Sequence, residues 1–338
     1  GQDDVNEEDE GINNTVDMKS SSYYGIKSKE FHICDDTLRL ACFSPNGSLF
    51  VAGGENKKAH IVEYGTGRIR HTFPRDSTVS CAAFSPDGCM VIIGGYDNKA
   101  IVYDVESGSE VETLERDYSV MTVEYSRDGK YIVVGGDDKK AIVYNASSFE
   151  VVQTFDGVGR VYAAVFSSDS SLLAIGGYNN KAIVYDVKSG QEVQSFQRDN
   201  YVYALAMSSD NCHIVVGGYD NKAAVYQLSS GELLHTFERS NCINSVAFDS
   251  TNDRIAIGGD DGVLEVADAS TFQTLFRFRH DGAVRDVSFS EDGKMICGAG
   301  GKVVIYNIPH GQHHFCLHQG KLIWRSKLSD DGSLILTV

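Results

Sequence analysis

The sequence predicts an all-β protein assembled from one short unit that recurs many times, and three observations indicate this fold class. Gly-Gly pairs recur every 41 residues, at 53/54, 94/95, 135/136, 176/177, 217/218 and 258/259. A turn segment recurs in phase with them, beginning with Ser44-Pro45-Asn46-Gly47 and Ser85-Pro86-Asp87-Gly88. The segments between these turns are short apolar runs, such as Ile101-Val102-Tyr103. Tight turns that separate short apolar runs indicate β-strands and no helix.

The repeat period predicts the architecture. A spacing of 41 residues lies within the roughly 40–45 residues that one four-stranded blade of a β-propeller occupies. Length alone would suggest two or three domains for 338 residues, but internal repetition favours one closed domain. We therefore predict a single closed β-propeller of four-stranded blades.

The segment Val120–Tyr144 (VMTVEYSRDGKYIVVGGDDKKAIVY) resembles the WD-repeat family. It follows the family's order of strand a, an SPDG-type turn, strand b, a Gly-Gly-x-Asp turn and strand c, and the resemblance extends from about residue 30 onward. The chain departs from the family where tryptophan of the signature dipeptide is replaced by tyrosine, and its sole tryptophan, Trp324, lies elsewhere. These tyrosines are Tyr103, Tyr144, Tyr185 and Tyr226. The resemblance implies a rigid disc that presents its loops to peptides or protein domains.

The number of blades follows from the strand a–b units. Eight such units occur, because Lys321–Val338 begins another after seven complete blades. Eight blades of 41 residues leave ten of the 338 residues for a tail. We expect a strand around Lys29–Ile33 to complete the last blade and remove its exposed edges. The alternative is seven blades, with Lys321 opening a second propeller. The propeller is expected to span residues 19–338, after an acidic, disordered tail of residues 1–18.

Charge and composition exclude several classes of partner. The net charge is −17, and six acidic residues lie within the first ten positions. Nucleic acid is not an expected partner, because binding to phosphates requires a basic face. No apolar run is long enough to span a bilayer, and no secretory signal opens the chain. The eight cysteines form no CxxC pair, so we expect buried, reduced thiols and a cytoplasmic location.

Comparing the repeats with one another predicts a set of ion pairs. In the WD-repeat family, a histidine before strand a hydrogen-bonds the turn aspartate of the same blade. That column reads Cys34, Arg75, Arg116, Gly157, Arg198, Arg239 and His280 in this chain. The turn column reads Asn56, Asp97, Asp138, Asn179, Asp220 and Asp261. Because aspartate occurs where arginine faces it and asparagine where it does not, we predict charge-assisted intrablade pairs. They are Arg75–Asp97, Arg116–Asp138, Arg198–Asp220 and Arg239–Asp261.

Residue patterns that would support catalysis or metal binding are sparse. No nucleophile elbow, zinc-protease motif, phosphate-binding loop or calcium loop occurs, and Gly298–Lys302 reads as a tight strand turn. The cluster His310, His313, His314, Cys316 and His318 could offer two metal ligands from one strand face, but a solvated surface is favoured. A single carboxylate, Glu124, is expected near the axial channel. We predict no cofactor and no metal.

Two columns bring tyrosines to one face of the predicted propeller. The residue before the turn Asp or Asn reads Glu55, Tyr96, Asp137, Tyr178, Tyr219 and Asp260. The residue after the first apolar position of strand a reads Arg39, Ser80, Met121, Tyr162, Tyr203, Asn244, Arg285 and Trp324. Superposing them groups tyrosines on blades four and five, with Tyr201 beside them. Because aromatic residues and arginine dominate binding hot spots, we predict a partner surface there. Its residues are Tyr96, Asp137, Tyr162, Tyr178, Tyr201, Tyr203, Tyr219, Arg285 and Trp324.

The function expected from these observations is that of a non-catalytic scaffold. It would bind a protein or peptide on its loop-bearing face, as a subunit or module of a larger assembly. The alternative is an enzyme, or a regulatory module of one, that uses the axial channel or the cluster at His310–His318. No acid, base and nucleophile converge in one column, which favours the scaffold.

Overall fold

The structure is a computed structural model in which β-strands are the only regular elements of the described residues. It describes residues 17–23, 26–32, 38–63, 66–156, 159–249, 251–280, 282–284, 286–289, 295–299, 302–307, 312–318, 326–328 and 335–337. Side chains are described for 44–284 within these ranges, and for Val287 and Phe289. The predicted acidic tail is outside them up to residue 16, and the first strand begins at Asp17.

Seven antiparallel sheets of four strands follow one another along the chain, and each is numbered in that order. Sheet 1 contains β3 (Leu38–Phe43), β4 (Leu49–Gly54), β5 (Lys58–Glu63) and β6 (Ile69–Pro74), and sheet 2 contains β7 (Val79–Phe84), β8 (Met90–Gly95), β9 (Lys99–Asp104) and β10 (Glu110–Glu115). Sheet 3 contains β11 (Val120–Tyr125), β12 (Tyr131–Gly136), β13 (Lys140–Asn145) and β14 (Val151–Asp156). Sheet 4 contains β15 (Val161–Phe166), β16 (Leu172–Gly177), β17 (Lys181–Asp186) and β18 (Glu192–Gln197).

The remaining strands form three further sheets and two hairpins. Sheets 5 to 7 contain β19 (Val202–Met207), β20 (His213–Gly218), β21 (Lys222–Gln227) and β22 (Leu233–Glu238); β23 (Ile243–Phe248), β24 (Arg254–Gly259), β25 (Val263–Asp268) and β26 (Thr274–Arg279); and β27 (Asp286–Phe289), β28 (Met295–Ala299), β29 (Lys302–Asn307) and β30 (Gln312–His318). The hairpins are β1 (Asp17–Tyr23) with β2 (Ile26–His32), and β31 (Ser326–Leu328) with β32 (Ile335–Thr337).

The hydrophobic cores lie between neighbouring sheets. One core joins sheets 1 and 2, and equivalent cores join each later pair up to sheets 6 and 7. The tyrosines in place of the family's tryptophan are part of them. Tyr103 stacks on Phe73 of the preceding sheet, with ring centroids 4.0 Å apart. Tyr185 meets Phe155 at 4.2 Å and Tyr226 meets Phe196 at 4.3 Å in the same way. Each repeat is therefore buried only when its neighbours are in place.

The first strands of consecutive sheets lie against one another. The series runs from β3 through β7, β11, β15, β19 and β23 to β27. The C-terminal strand β31 contacts both β27 and β3. The N-terminal strand β2 contacts β32, the second strand of the C-terminal hairpin. Strands from the two ends of the chain thus contact one another.

Arginine–aspartate pairs link the turns of consecutive sheets. The Nε and Nη2 atoms of Arg75 donate to the two carboxylate oxygens of Asp97, both at 2.7 Å. The same guanidinium donates to the carbonyls of Ile93 and Lys99, each at 2.9 Å. The main-chain N–H of Arg75 donates to the carbonyl of Lys57, in the turn of sheet 1. Arg75 therefore holds the turn of sheet 1 through its backbone and the turn of sheet 2 through its side chain.

The structure forms all four predicted pairs, with shortest N–O distances of 2.7–2.8 Å and side chains no more than 7% exposed. The assignment of these pairs to single blades was wrong. Each arginine directly follows the last strand of one sheet, whereas its aspartate lies in the turn of the next sheet. Both residues belong to one sequence repeat, but that repeat is shared between two sheets. The pairs therefore bridge sheets 1–2, 2–3, 4–5 and 5–6.

Asparagine replaces the turn aspartate in two repeats that have no arginine before strand a, and it preserves the local geometry of the turn. The side-chain oxygen of Asn179 accepts the main-chain N–H of Lys181 at 3.1 Å. The carboxylate of Asp220 makes the same contact with Lys222, also at 3.1 Å. Gly157, which takes the place of arginine in the sequence before sheet 4, lies outside the described residues, as does Cys34 before sheet 1. The turn can therefore form without a charge.

We expect Arg198→Met to lower the free energy of unfolding by about 3–5 kcal/mol, because the Asp220 carboxylate, 3% exposed, would lose its partner. Arg68→Met is the matched control, since the Arg68 side chain is 58% exposed and its pair with Glu63 is screened by solvent, so its loss should change the stability little. Urea denaturation of both variants measures the difference. Equal losses would contradict the structural role of the buried pair.

Candidate functional site

A β-bulge occurs in the first strand of sheets 1 to 6, and in sheets 4 and 5 it positions two of the predicted tyrosines. The register of β15 on β16 shifts between Val161 and Ala163, so Tyr162 is the extra residue. The same shift in β19 makes Tyr203 the extra residue of sheet 5. A bulge bends a strand and redirects the side chain of the extra residue. The side chain at this position therefore need not follow the alternation of the rest of the strand. The corresponding residues of sheets 1, 2, 3 and 6 are Arg39, Ser80, Met121 and Asn244.

A backbone hydrogen bond brings the turn column next to the start of strand a. The N–H of Tyr178 donates to the carbonyl of Arg160, and the N–H of Tyr219 donates to the carbonyl of Tyr201, both at 2.9 Å. The approach at Tyr201 is close, because a Cβ atom on Gly218 would collide with that carbonyl oxygen. The repeated Gly-Gly pair is therefore needed for the turn to reach the loop that precedes strand a.

Five tyrosines form one continuous row across sheets 4 and 5, which we call the tyrosine cluster: Tyr162, Tyr178, Tyr201, Tyr203 and Tyr219. Tyr162 stacks on Tyr203 with centroids 4.6 Å apart and an angle of 9°. Tyr178 stacks on Tyr201 at 3.9 Å and 21°. Tyr219 connects the two stacks, at 5.0 Å from Tyr203 and 6.0 Å from Tyr201. These separations are those of interacting aromatic rings, so the cluster is assembled without a ligand.

The tyrosine cluster combines a packed base with an exposed rim. Tyr178 is 47% exposed and Tyr219 is 49% exposed, whereas the other three rings are half-buried. Burial and the neighbouring phenols of Tyr162 and Tyr219 raise the pKa of Tyr203. A hydrogen bond with Tyr178 raises the pKa of Tyr201. Tyr203 and Tyr201 are therefore neutral at physiological pH, and the rings of the cluster present apolar faces with hydroxyl edges.

Polar pairs border the tyrosine cluster on both sides. Arg160 lies 3.6 Å from Asp137 of sheet 3, and hydrogen bonding to Tyr162 together with the Asp137 charge raises the pKa of Arg160. On the other side, the amide of Asn244 donates to Asp260 at 2.8 Å. Asp137 is thus part of the surface through its contact with Arg160. An aromatic centre with a polar border has the organisation of a protein interface.

Among the other residues of the predicted surface, Tyr96 lies apart from the cluster. Tyr96 is 37% exposed in the turn of sheet 2, two sheets away from Tyr178. Arg285 and Trp324 are outside the described residues, so their inclusion stays a prediction. The structure therefore brings together the five cluster tyrosines and Asp137 but not Tyr96.

Comparison with protein families agrees with the repeat geometry. The model of the family WD40 (WD domain, G-beta repeat) matches residues 67–104, 108–145, 149–186, 190–227, 231–268 and 272–307. These six matches cover more than half of the chain. The chain belongs to the WD-repeat family. Each matched repeat begins before the last strand of one sheet and ends with the third strand of the next, which is why a residue pair within one repeat bridges two sheets. No curated protein matches the chain by sequence.

A cavity of about 390 Å³ lies at the opposite ends of the first strands of sheets 3 to 6. Glu124 lines it together with Arg127 and Asp249, and the expected place of Glu124 near an axial channel stays a prediction. The serine hydroxyls at its wall serve the WD-repeat turns, since Ser167 donates to Asp169 at 2.6 Å and Ser208 to Asp210 at 2.5 Å. The polar groups of this cavity are therefore largely committed to the turns.

Metal ligands do not cluster in the described part of the chain, where no group of three or more His, Cys, Asp or Glu side chains could hold an ion. The predicted cluster at His310–His318 lies outside the described side chains. Its strand β30 pairs with β29 of sheet 7. No helix among the described residues has the length and apolar character needed to cross a membrane.

A second set of contacts between sheets was missed in the sequence. It lies in the turns between the first two strands, where the glycine of SPDG is replaced by a residue at positive φ in sheets 4 to 6. Asn211 accepts the N–H of Ser168 at 3.0 Å, and Asn252 accepts that of Ser209 at 2.7 Å. Sheets 1 and 2 have Pro45 and Pro86 where these serines stand, and proline has no N–H to donate, whereas sheet 3 has Arg127. In the sequence, turns that lack both the proline and the glycine of SPDG could have indicated these contacts.

We expect Tyr203→Phe to remove one tyrosine that ionises above the ordinary range near 10, because burial and neighbouring phenols disfavour its phenolate. The difference in ultraviolet titration between wild type and variant isolates this residue. A lost component that titrates at the ordinary value would show that the cluster is open to water and not packed.

Proposed function

We propose that the chain is a non-catalytic interaction scaffold that binds a protein or peptide at the tyrosine cluster. The observation that carries the proposal is the row of five contacting rings, two of them about half exposed. The cluster lies on the face formed by the turns between second and third strands and by the loops between sheets. WD repeats generally mediate protein–protein contacts, which agrees with this assignment.

The packing of the tyrosine cluster favours tight binding. A tyrosine offers a large contact area while losing few rotamers, and rings that already stack lose still fewer when a partner binds. Tyr178 and Tyr219 supply the exposed area, and Tyr162, Tyr201 and Tyr203 support them from below. The pairs Arg160–Asp137 and Asn244–Asp260 provide a hydrogen-bonding rim. A partner with apolar or aromatic side chains flanked by polar groups fits this surface best.

We further propose that the chain acts within a multiprotein assembly in the cytoplasm. The described cysteines Cys81, Cys89, Cys212 and Cys242 are free thiols, as in proteins of a reducing compartment. The net charge of −17 argues against nucleic acid as the partner.

We propose an eight-bladed, closed propeller as the framework of this scaffold. In support, β31 contacts both β27 and β3, and β2 contacts β32. The hairpins β31–β32 and β1–β2 would supply the inner and outer strands of the eighth blade. Such a blade protects the edges of sheets 1 and 7 from pairing with other chains.

We expect Tyr178→Ala and Tyr203→Ala each to weaken partner binding by about 1–3 kcal/mol without unfolding the chain. The measurement is quantitative affinity capture with mass spectrometry, followed by titration of the captured partner. Tyr118→Ala is the matched control, because Tyr118 is 62% exposed on sheets 2–3, away from the cluster. Unchanged capture of every partner by the double variant, with its fold intact, would refute the assignment.

We expect deletion of β1–β2 and deletion of β31–β32 to destabilise the chain through the same defect, an incomplete eighth blade. The losses in midpoint of urea unfolding should then be less than additive in the double deletion. Strictly additive losses would indicate two independent hairpins and contradict the shared blade.

A further inference from the structure

Sheet 6 differs from the other described sheets in its two outer strands. Its third strand carries Val263 and Glu265, and its fourth strand carries Arg277 and Arg279. At the place of Arg277, sheets 1 to 5 have Thr72, Thr113, Thr154, Ser195 and Thr236. At the place of Arg279, sheets 1 to 5 have Pro74, Glu115, Asp156, Gln197 and Glu238. Two cations thus replace neutral or acidic residues on one strand of a strongly acidic chain.

Glu265 is a buried carboxylate that holds Arg277. Its side chain is 1% exposed, at a place that holds isoleucine in three other sheets. Nη2 of Arg277 donates to both of its oxygens, at 3.0 and 3.1 Å, and the Thr274 hydroxyl donates at 2.5 Å. Nη1 of Arg239 lies 3.7 Å away. Glu265 is therefore fully compensated, although it is buried.

A buried carboxylate is not the most stable choice at this place. Replacing buried ion pairs by apolar residues is often neutral or stabilising, and isoleucine occupies the site elsewhere in this chain. What Glu265 adds is orientation, because it fixes one edge of the Arg277 guanidinium while that side chain remains 62% exposed. Groups that are held from behind in this way are typical of preorganised binding sites.

A cavity of about 250 Å³ opens in front of these arginines. Its wall consists of Glu238, Arg239, Ser240, Asp261, Val263, Arg277 and Arg279. Val263 pairs with Arg279 in the register, whereas the other sheets place lysine at that position of the third strand. The small apolar side chain leaves room for the cavity. Among the described residues, Arg279 forms no ion pair.

The charges around the cavity favour an anion in front of Arg277 and Arg279. Asp261 is neutralised by Arg239, with which it forms a 2.7 Å pair, and Glu265 lies behind Arg277. Glu238 is the one carboxylate of the lining that has no arginine partner in the described structure. Ser240 adds a hydroxyl donor at the same wall.

We propose that this cavity, the sheet 6 pocket, binds a phosphate group through Arg277 and Arg279. Two guanidinium groups two residues apart on one strand share a face and can both reach one phosphate. A planar guanidinium can donate two parallel N–H bonds to two oxygens of one phosphate. The phosphate could be free in solution or carried on a serine side chain, because the pocket would recognise the same group. This site is distinct from the tyrosine cluster and does not depend on it.

The test is calorimetric titration of the full chain with orthophosphate and, separately, with O-phospho-L-serine, in a buffer free of other oxyanions. We expect saturable binding that weakens as salt increases. Arg279→Gln should weaken it about tenfold or more, since each charge-assisted contact is worth that much. Glu265→Gln should also weaken it by releasing Arg277, and Glu238→Gln should strengthen it. Unphosphorylated serine should not bind.

Arg70→Gln is the matched control, because Arg70 lies on the last strand of sheet 1 and pairs with Glu106 away from the pocket. It should leave the affinity unchanged. Arg277→Gln would remove the partner of the buried Glu265 and destabilise sheet 6. The substitution of the exposed Arg279, Arg279→Gln, therefore decides the outcome. Equal affinity for both probes assigns the site to the phosphate group itself, and a preference for phosphoserine assigns it to a phosphorylated side chain. Absence of saturable binding, or wild-type affinity in Arg279→Gln, would overturn the proposal.

Discussion

The structure depends on four arginines, each of which binds the turns of two consecutive sheets. Arg75, Arg116, Arg198 and Arg239 each bind the turn of one sheet through the main-chain N–H and the turn of the next through the guanidinium. Aliphatic packing between the sheets supplies most of the stability, but it is not directional. A bidentate pair that also donates to backbone carbonyls defines the position of one sheet relative to the next. We therefore regard the pairs as determinants of geometry more than of total stability.

The tyrosine cluster is positioned by one of these arginines. The backbone of Arg198 is bonded to the carbonyl of Asn180, in the turn that carries Tyr178. Its side chain is bonded to Asp220, the residue after Tyr219, and Tyr201 lies three residues beyond Arg198 itself. One residue thus connects the turn of sheet 4, the loop between the sheets and the turn of sheet 5. Those three segments carry the exposed rings, so the candidate site relies on the same contact that orders the sheets.

Much of this organisation could be predicted from the sequence, because a duplicated repeat supplies its own alignment. The spacing of the Gly-Gly pairs predicted strands and turns, and the matched columns predicted both the arginine–aspartate pairs and the grouping of the tyrosines. The placement of the pairs within single blades was wrong, because a sequence repeat does not show which of its strands joins the neighbouring sheet. The contacts of Asn211 and Asn252 and the burial of Glu265 were missed, since they depend on side chains that meet only after the sheets pack. Tyr96 shows the converse limit, as it shares a column with Tyr178 and Tyr219 but lies in the turn of sheet 2, away from sheets 4 and 5.

The junction between sheets 3 and 4 allows the central claim to be tested, because Asn179 occupies the turn there and Gly157 stands in the arginine column. The decisive measurement is a double-mutant cycle in urea denaturation for Asn179→Asp and Gly157→Arg. Asn179→Asp alone should destabilise the chain, since it places an uncompensated carboxylate beside the turn. Adding Gly157→Arg should recover the loss, with a coupling energy of about 1–3 kcal/mol between the two positions. Additive effects of the two substitutions would show that the charge pair does not join the sheets and would contradict the account.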